Sequence, residues 1–251
     1  MKENRITEGV IWKPLLAFFF PILLGTFFQQ LYNTVDAIIV GNFVSTQALA
    51  AVGGATGTII NLLVGFFVGL SAGATVIISQ YYGARRVQET MKAVHTAVAM
   101  GIIGGLIFMV LGMALSPWAL RVMGTPEDVM GYAITYIEIY FGGMIFNLVY
   151  NMASGILRAV GDSRRPLYFL IFSTLLNVVL DLLFVPVFHW GVAGVGTATI
   201  VSQAVSAILV MVVLMRSDVV YRVYLKEIRL DFYILKNIIQ ILSLIHISEP
   251  T

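Results

Sequence analysis

Long stretches of this chain carry almost no charge. Of Asp, Glu, Lys and Arg, residues 14–84 hold only Asp36; residues 93–120 hold none; residues 129–157 hold only Glu138, and residues 166–215 only Asp181. A helix that crosses a bilayer needs about 20 consecutive apolar residues. The first and last stretches are therefore long enough for two spans each, and the middle two for one each. The pattern predicts an all-α integral membrane protein with six transmembrane helices. Composition agrees, because 11% of the 251 residues are charged against about 25% in a soluble domain. So little charge cannot cover a water-facing surface. With 15 Lys and Arg against 13 Asp and Glu, the net charge of +2 is too small for a nucleic-acid footprint. The chain has no cysteine, which removes disulfide frameworks and thiolate chemistry.

The long stretches divide at turn-like points: Gly41, Asn42, Phe43, Val44 and Ser45 in the first, His189, Trp190 and Gly191 in the last. Helices are expected near 14–40, 48–82, 92–116, 129–157, 166–188 and 192–215. Glycines inside them, such as Gly101, Gly104, Gly105 and Gly112, suit close helix packing in lipid. Every Lys and Arg except Arg121 falls on the same side as the amino terminus, so the positive-inside rule places that terminus in the cytoplasm. Residues 1–215 read as one transmembrane lobe. Residues 216–236 alternate basic and apolar groups, as an interfacial amphipathic helix would and as an ordinary loop with snorkelling cations also would. Residues 242–251, LSLIHISEPT, resemble the in-frame translation of a transposase-type sequencing adapter. The expectation is that the natural chain continues beyond Ile241, so no role is assigned to His246 or Glu249.

An ionisable residue inside a span costs roughly 2.5–3.5 kcal/mol on insertion scales and normally faces a bundle interior or a watery cavity. Asp36 and Asp181 are the two deep cases. Counted from expected helix ends near Val40 and Phe188, they lie about 6 and about 10 Å down at 1.5 Å per residue, and Thr199 lies about 10 Å below the start of the sixth span. Gln29, Asn33 and Asp36 follow i, i+4, i+7 on the first helix; Asn177 and Asp181 are i, i+4 on the fifth. Three helices thus offer oxygen ligands at one level. Interhelical hydrogen bonding accounts for Asn, Gln or Thr alone, whereas buried carboxylates are poor glue and good proton or ion sites. Burial disfavours a charged carboxylate and a neighbouring carboxylate does so further, so such a pair can be neutral when closed and ionised when wet. If the two interact they titrate as a unit. Na⁺ would instead take several oxygens, which Asn177, Asp181 and Thr199 supply.

Other residues are less decisive. Pro21 cannot donate to the carbonyl of Ala17, so the first helix flexes or is statically kinked there. Glu138 lies about two turns from the far end of the fourth span, within reach of the interface. His95, near the basic end of the third, reads as a hydrogen-bonded histidine rather than a relay. With no His near Asp36 or Asp181, a membrane-embedded metal enzyme is disfavoured.

Three segments carry a resemblance. Gln29-Gln30-Leu31-Tyr32-Asn33-Thr34-Val35-Asp36-Ala37-Ile38-Ile39-Val40-Gly41, Gly155-Ile156-Leu157-Arg158-Ala159-Val160-Gly161-Asp162-Ser163-Arg164-Arg165-Pro166, and Asn177-Val178-Val179-Leu180-Asp181 together resemble the bacterial branch of the multidrug and toxic compound extrusion (MATE) family. The resemblance implies a twelve-helix, two-lobe transporter of which this chain is the first lobe, residues 237–241 starting the second. It implies export of amphipathic, often cationic, small molecules across the bacterial plasma membrane, driven by inward H⁺ or Na⁺, with no other cofactor. It also implies a cation site at Asp36, Asn177, Asp181 and Thr199, and matches Gln29 and Pro21 on the first helix. A related flippase of lipid-linked oligosaccharides would favour a strongly cationic cavity, and no Lys or Arg is expected within these spans.

Overall fold

The computed structural model describes residues 12–216 and 219–248. The expectations for Lys2, Arg5, Lys13 and the adapter-like 242–251 segment fall on residues or side chains outside that description. Among the described residues there are nine α-helices and no strand: α1 (Trp12–Phe43), α2 (Thr46–Gly53), α3 (Ala55–Gly83), α4 (Val87–Val122), α5 (Glu127–Gly142), α6 (Met144–Ala159), α7 (Arg164–Phe184), α8 (Gly191–Arg216) and α9 (Phe232–Ser248). The six expected spans are α1, α2 with α3, α4, α5 with α6, α7, and α8; five pass for membrane crossings on length and hydropathy, and α5 with α6 makes a sixth, bent by 48°.

The ends of these helices have local causes. Ser45 is extended, and its hydroxyl accepts from the Ala48 N–H at 3.1 Å, satisfying one of the donors that the start of α2 leaves unpaired. Between α7 and α8 the chain reverses through His189 and Gly191, both with φ of 57°. That left-handed conformation costs a glycine little. The α3–α4 loop, the start of α7 and the end of α8 carry Arg85, Arg86, Arg164, Arg165 and Arg216 and define a basic end of the bundle, opposite a far end.

Four expectations need correction. The fourth span is broken, because consecutive Gly142 and Gly143 weaken the helix and α8 closes on the gap: a Cβ on Gly143 would come 2.4 Å from the Ile200 side chain. The third span, expected at 92–116, is a helix of 36 residues. Counting charge-free residues finds the apolar part of a helix and misses turns that run on past Lys92 and Arg121. The fifth ends at Phe184 rather than 188, since the Phe188 and Trp190 N–H groups fold back onto the carbonyls of Leu183 and Phe184. Finally, of the two readings of 216–236 the interfacial helix does not hold, since only its ends belong to α8 and α9. Residues 219–231 form a strap containing one short 3₁₀ turn, Leu225–Glu227. Tyr221 and Val223 are both buried, so the apolar alternation is that of an extended segment. The Val223 N–H bonds to Leu214 O and the Asp231 N–H to the Thr96 hydroxyl. The Asp231 carboxylate then caps α9, accepting from the Tyr233 and Ile234 N–H groups, so this helix begins five residues before the 237–241 segment.

Helix α6 is the centre of the bundle, packed against α3, α4 and α8, while α1 lies outside and leans mainly on α7. One apolar cluster, around Val40, Leu120, Ile137 and Met144, fills the far end. Another, around Ile78, Val98, Ile156 and Leu214, fills the basic end and takes in Ile234 and Ile238 of α9. The glycine stripe on α4 does what its spacing suggests. A Cβ on Gly105 would lie 2.5 Å from the Ile145 Cα of α6, a backbone atom that cannot turn aside. Gly105→Val is expected to push α4 off α6 and lower stability by about 1–3 kcal/mol. Gly65→Ala, with nothing within 4 Å of its Cβ, should leave the detergent melting midpoint unchanged or slightly higher. Equal midpoints for the two variants would refute the close-packing account.

Candidate ion and substrate site

Asp36 of α1, Asn177 and Asp181 of α7 and Thr199 of α8 meet inside the bundle, none more than 3% exposed. The Asp36 carboxylate lies against Asp181 and the Thr199 hydroxyl. Asp36 Oδ1, both Asp181 oxygens, both Asn177 side-chain atoms and the hydroxyls of Thr199 and Ser202 are buried without a hydrogen-bond partner among the described residues. Buried polar groups are nearly always partnered, and each orphan costs about 1–3 kcal/mol. A whole layer of orphans is a poor way to join helices and a suitable way to receive water or a small cation. Among the described residues no group of three or more His, Cys, Asp or Glu is placed to hold a metal ion.

The helix ends from which the depths were counted do not hold. With α7 ending at Phe184, Asp181 sits in the last turn of its helix, its carbonyl accepting from the Val185 N–H, while Asp36 lies two turns inside α1. The side chains still meet, because the helices end at different heights and the 185–190 loop folds back with the Phe184 and Trp190 rings 4.9 Å apart. Asn33 is the residue that the spacing misplaced: it is exposed and donates to the Gln30 side chain at 3.3 Å. At about 100° per residue, Asn33 is some 60° round the helix from Asp36, whereas Gln29 is about 20° and Tyr32 about 40° away. Tyr32 takes the place expected of Asn33, packing by Asp36 and Thr199. Tyr136 of α5 approaches the same carboxylates, Tyr140 lies beside Tyr136 and Tyr32, and Gln203 of α8 contacts Tyr140. The i, i+4 pairs Tyr32 with Asp36 and Tyr136 with Tyr140 were the available signal.

A cavity of about 500 Å³ runs between α1, α3, α6, α7 and α8. Pro21 and Gln29 line it from α1, which stays helical through the proline, and Asn147, Tyr150 and Asn151 line it from α6. Pro166 and Asn177 of α7 both face it; their eleven-residue separation makes it about 16 Å long. Asn177 and Thr199 belong to its wall but Asp36 and Asp181 do not, so the carboxylates sit immediately behind its far end. Glu138 is half-buried and takes no part in the wall.

His95 is buried with both ring nitrogens engaged, Nδ1 with Met91 O at 2.7 Å and Nε2 with the Tyr224 N–H at 3.0 Å. An Nε2 that accepts and an Nδ1 that donates define one neutral tautomer, which anchors the strap. Much of the segment from Gly155 to Pro166 is structural too. A Cβ on Gly155 would come 2.6 Å from the Ser71 hydroxyl of α3, and that hydroxyl donates to Asn151 O at 2.7 Å. Gly161 turns with φ of 86°, Asp162 accepts from the Arg165 N–H and pairs with its guanidinium at 3.2 Å, and the Tyr150 hydroxyl donates to Pro166 O. Arg158 corrects the expectation of spans free of Lys and Arg: it is in the last turn of α6 and lines the cavity.

Residues 21–183 match the model of the MatE family. The chain belongs to the MatE family. The "Probable multidrug resistance protein YpnP" of Bacillus subtilis is 35% identical over 206 residues, 82% of this chain and 46% of that protein. The "Probable multidrug resistance protein YoeA" of the same organism is 31% identical over 89% of this chain and 50% of its own length. A solved outward-facing multidrug resistance MATE family transporter of the MOP superfamily superposes with a TM-score of 0.86 at 25% identity, covering 96% of this chain and 53% of that one. The chain thus spans about half the length of the MatE relatives it matches, and its six-span bundle corresponds to one lobe of a twelve-helix transporter.

Proposed function

We propose that this chain is the first lobe of a two-lobed antiporter that exports amphipathic, often cationic, small molecules across the bacterial plasma membrane in exchange for H⁺ or Na⁺. The observation that supports this best is the pair of buried, adjacent carboxylates, Asp36 and Asp181, behind a polar cavity wall of Asn177 and Thr199. In this reading the basic end is cytoplasmic and a second lobe, absent from this chain, supplies the opposing wall. An entering H⁺ or Na⁺ neutralises the carboxylates, which lets the layer close. Opening to the cytoplasm hydrates it and releases the ion. The lobes rock about this site, giving alternating access, with Pro21 as the point where α1 bends and Gln29 between ion site and substrate.

The energetics suffice. One charge moving inward through about 150 mV yields roughly 3.5 kcal/mol, enough for about a 300-fold gradient of a substrate without net charge; a monovalent cation exchanged one for one is driven by the ion's concentration gradient alone. The test is dye efflux from proteoliposomes containing this chain joined to the second half of a two-lobed relative, driven separately by a pH gradient and by a Na⁺ gradient. Efflux with one gradient and not the other names the ion. No response to either would refute ion coupling.

A further inference from the structure

Two polar side chains in the cavity wall have no part in the ion site. Ser163 is 5% exposed and precedes α7, where a serine normally accepts from the first helical N–H groups. Here Asp162 takes the Arg165 N–H instead, and Ser163 makes no capping bond, so its hydroxyl is left to the cavity. Arg158 faces the same end of the cavity beside the Tyr150 phenol. Among the described residues Arg165 pairs with Asp162, and no carboxylate lies within ion-pair distance of Arg158. No Asp or Glu lines the cavity. A guanidinium and a hydroxyl therefore meet at one end of the cavity, both able to donate, and the wall around them holds no acidic side chain, Asp162 being turned to Arg165.

We infer that Arg158 and Ser163 form the subsite that holds the carboxylate of a zwitterionic substrate lying along the cavity. The carboxylate rests on Arg158 and Ser163, and the cationic end points toward Asn177 and the carboxylates behind it. This rests on the exporter reading above. The guanidinium fork matches a carboxylate with two parallel hydrogen bonds, and the length of about 16 Å fits a multi-ring amphiphile with opposite charges at its ends. A lipid headgroup phosphate has the same chemistry, so the experiment separates the two sources.

The probes are rhodamine B, a zwitterion, and its ethyl ester, a cation of the same body, titrated by fluorescence anisotropy into the 251-residue chain in phosphatidylcholine nanodiscs. The expected result is that the acid binds about tenfold tighter than the ester, roughly the worth of one charge-assisted contact. Arg158→Gln should abolish the difference by weakening only the acid, and Arg158→Lys should keep part of it. The acid–ester comparison needs no variant, so a misfolded Arg158→Gln protein leaves the test intact. Equal affinities on the unaltered chain would overturn the subsite while leaving the exporter reading standing; binding of neither dye would count against both. Loss of the difference when phosphatidylglycerol is added would give the site to lipid and overturn the substrate assignment.

Discussion

Asp36→Asn is expected to reduce ion-driven efflux at least tenfold, to the level seen with the gradient collapsed, in a protein where this chain is joined to a second lobe. The substitution keeps the shape of the side chain and removes its charge and its proton. Asp36 is the α1 member of the pair, 3% exposed and against Asp181 and Thr199, and α1 holds no other Asp or Glu to take over its role. Asp181 would keep one carboxylate in the layer. If the two act as a unit, a single carboxylate has lost the partner whose repulsion makes its proton exchangeable. Folding should not suffer: one orphaned, charge-bearing oxygen is exchanged for a neutral amide, and the melting midpoint should hold or rise. That combination separates a coupling residue from structural glue, whose loss lowers stability and activity together. The measurement is the initial rate of dye efflux from proteoliposomes beside the melting midpoint in detergent. Efflux at the unaltered rate would make Asp36 glue and leave the coupling to another group.

How much of this was legible in the sequence depended on which physical rule each feature obeyed. Span number and order follow from the cost of charge in lipid, a rule that the bilayer enforces residue by residue, and the six spans were readable for that reason. Helix ends were less so, because α4 continues past Lys92 and Arg121 once it leaves the apolar zone. The break at Gly142 and Gly143 depends on Ile200 of α8, a partner far away in the chain. Spacing brought Asp36, Asn177, Asp181 and Thr199 to one layer although the helix ends it counted from were wrong, since buried carboxylates face inward wherever the helices end. Asn33 failed because exposed polar side chains find local partners, here Gln30. Arg158 was counted with the loop cations by its place in the sequence; only the fold shows that the last turn of α6 turns it into the cavity.

The chain of residues 1–251, reconstituted alone, is expected to bind amphiphiles without transporting them: accumulation of a cationic dye under an imposed ion gradient should not exceed that of empty liposomes. Alternating access requires two bodies that rock against a shared site, and this bundle is one body, organised around α6. Its cavity takes walls from five helices of this lobe, so a binding pocket exists. What is missing is a wall that can approach and withdraw. α1 makes the point from the other side: Phe19, Phe20 and Phe27 are each at least 50% exposed, an apolar surface for lipid or an opposing lobe. The one element beyond the six spans, α9, packs on α3 and α4 through Ile234 and Ile238, away from α1. It therefore does not serve as that wall. Two copies paired face to face would share one orientation in the membrane, as the two lobes of a transporter do. Dye accumulation by this chain alone, abolished by dissipating the gradient, would show that one lobe or its homodimer is sufficient and would remove the need for a second lobe.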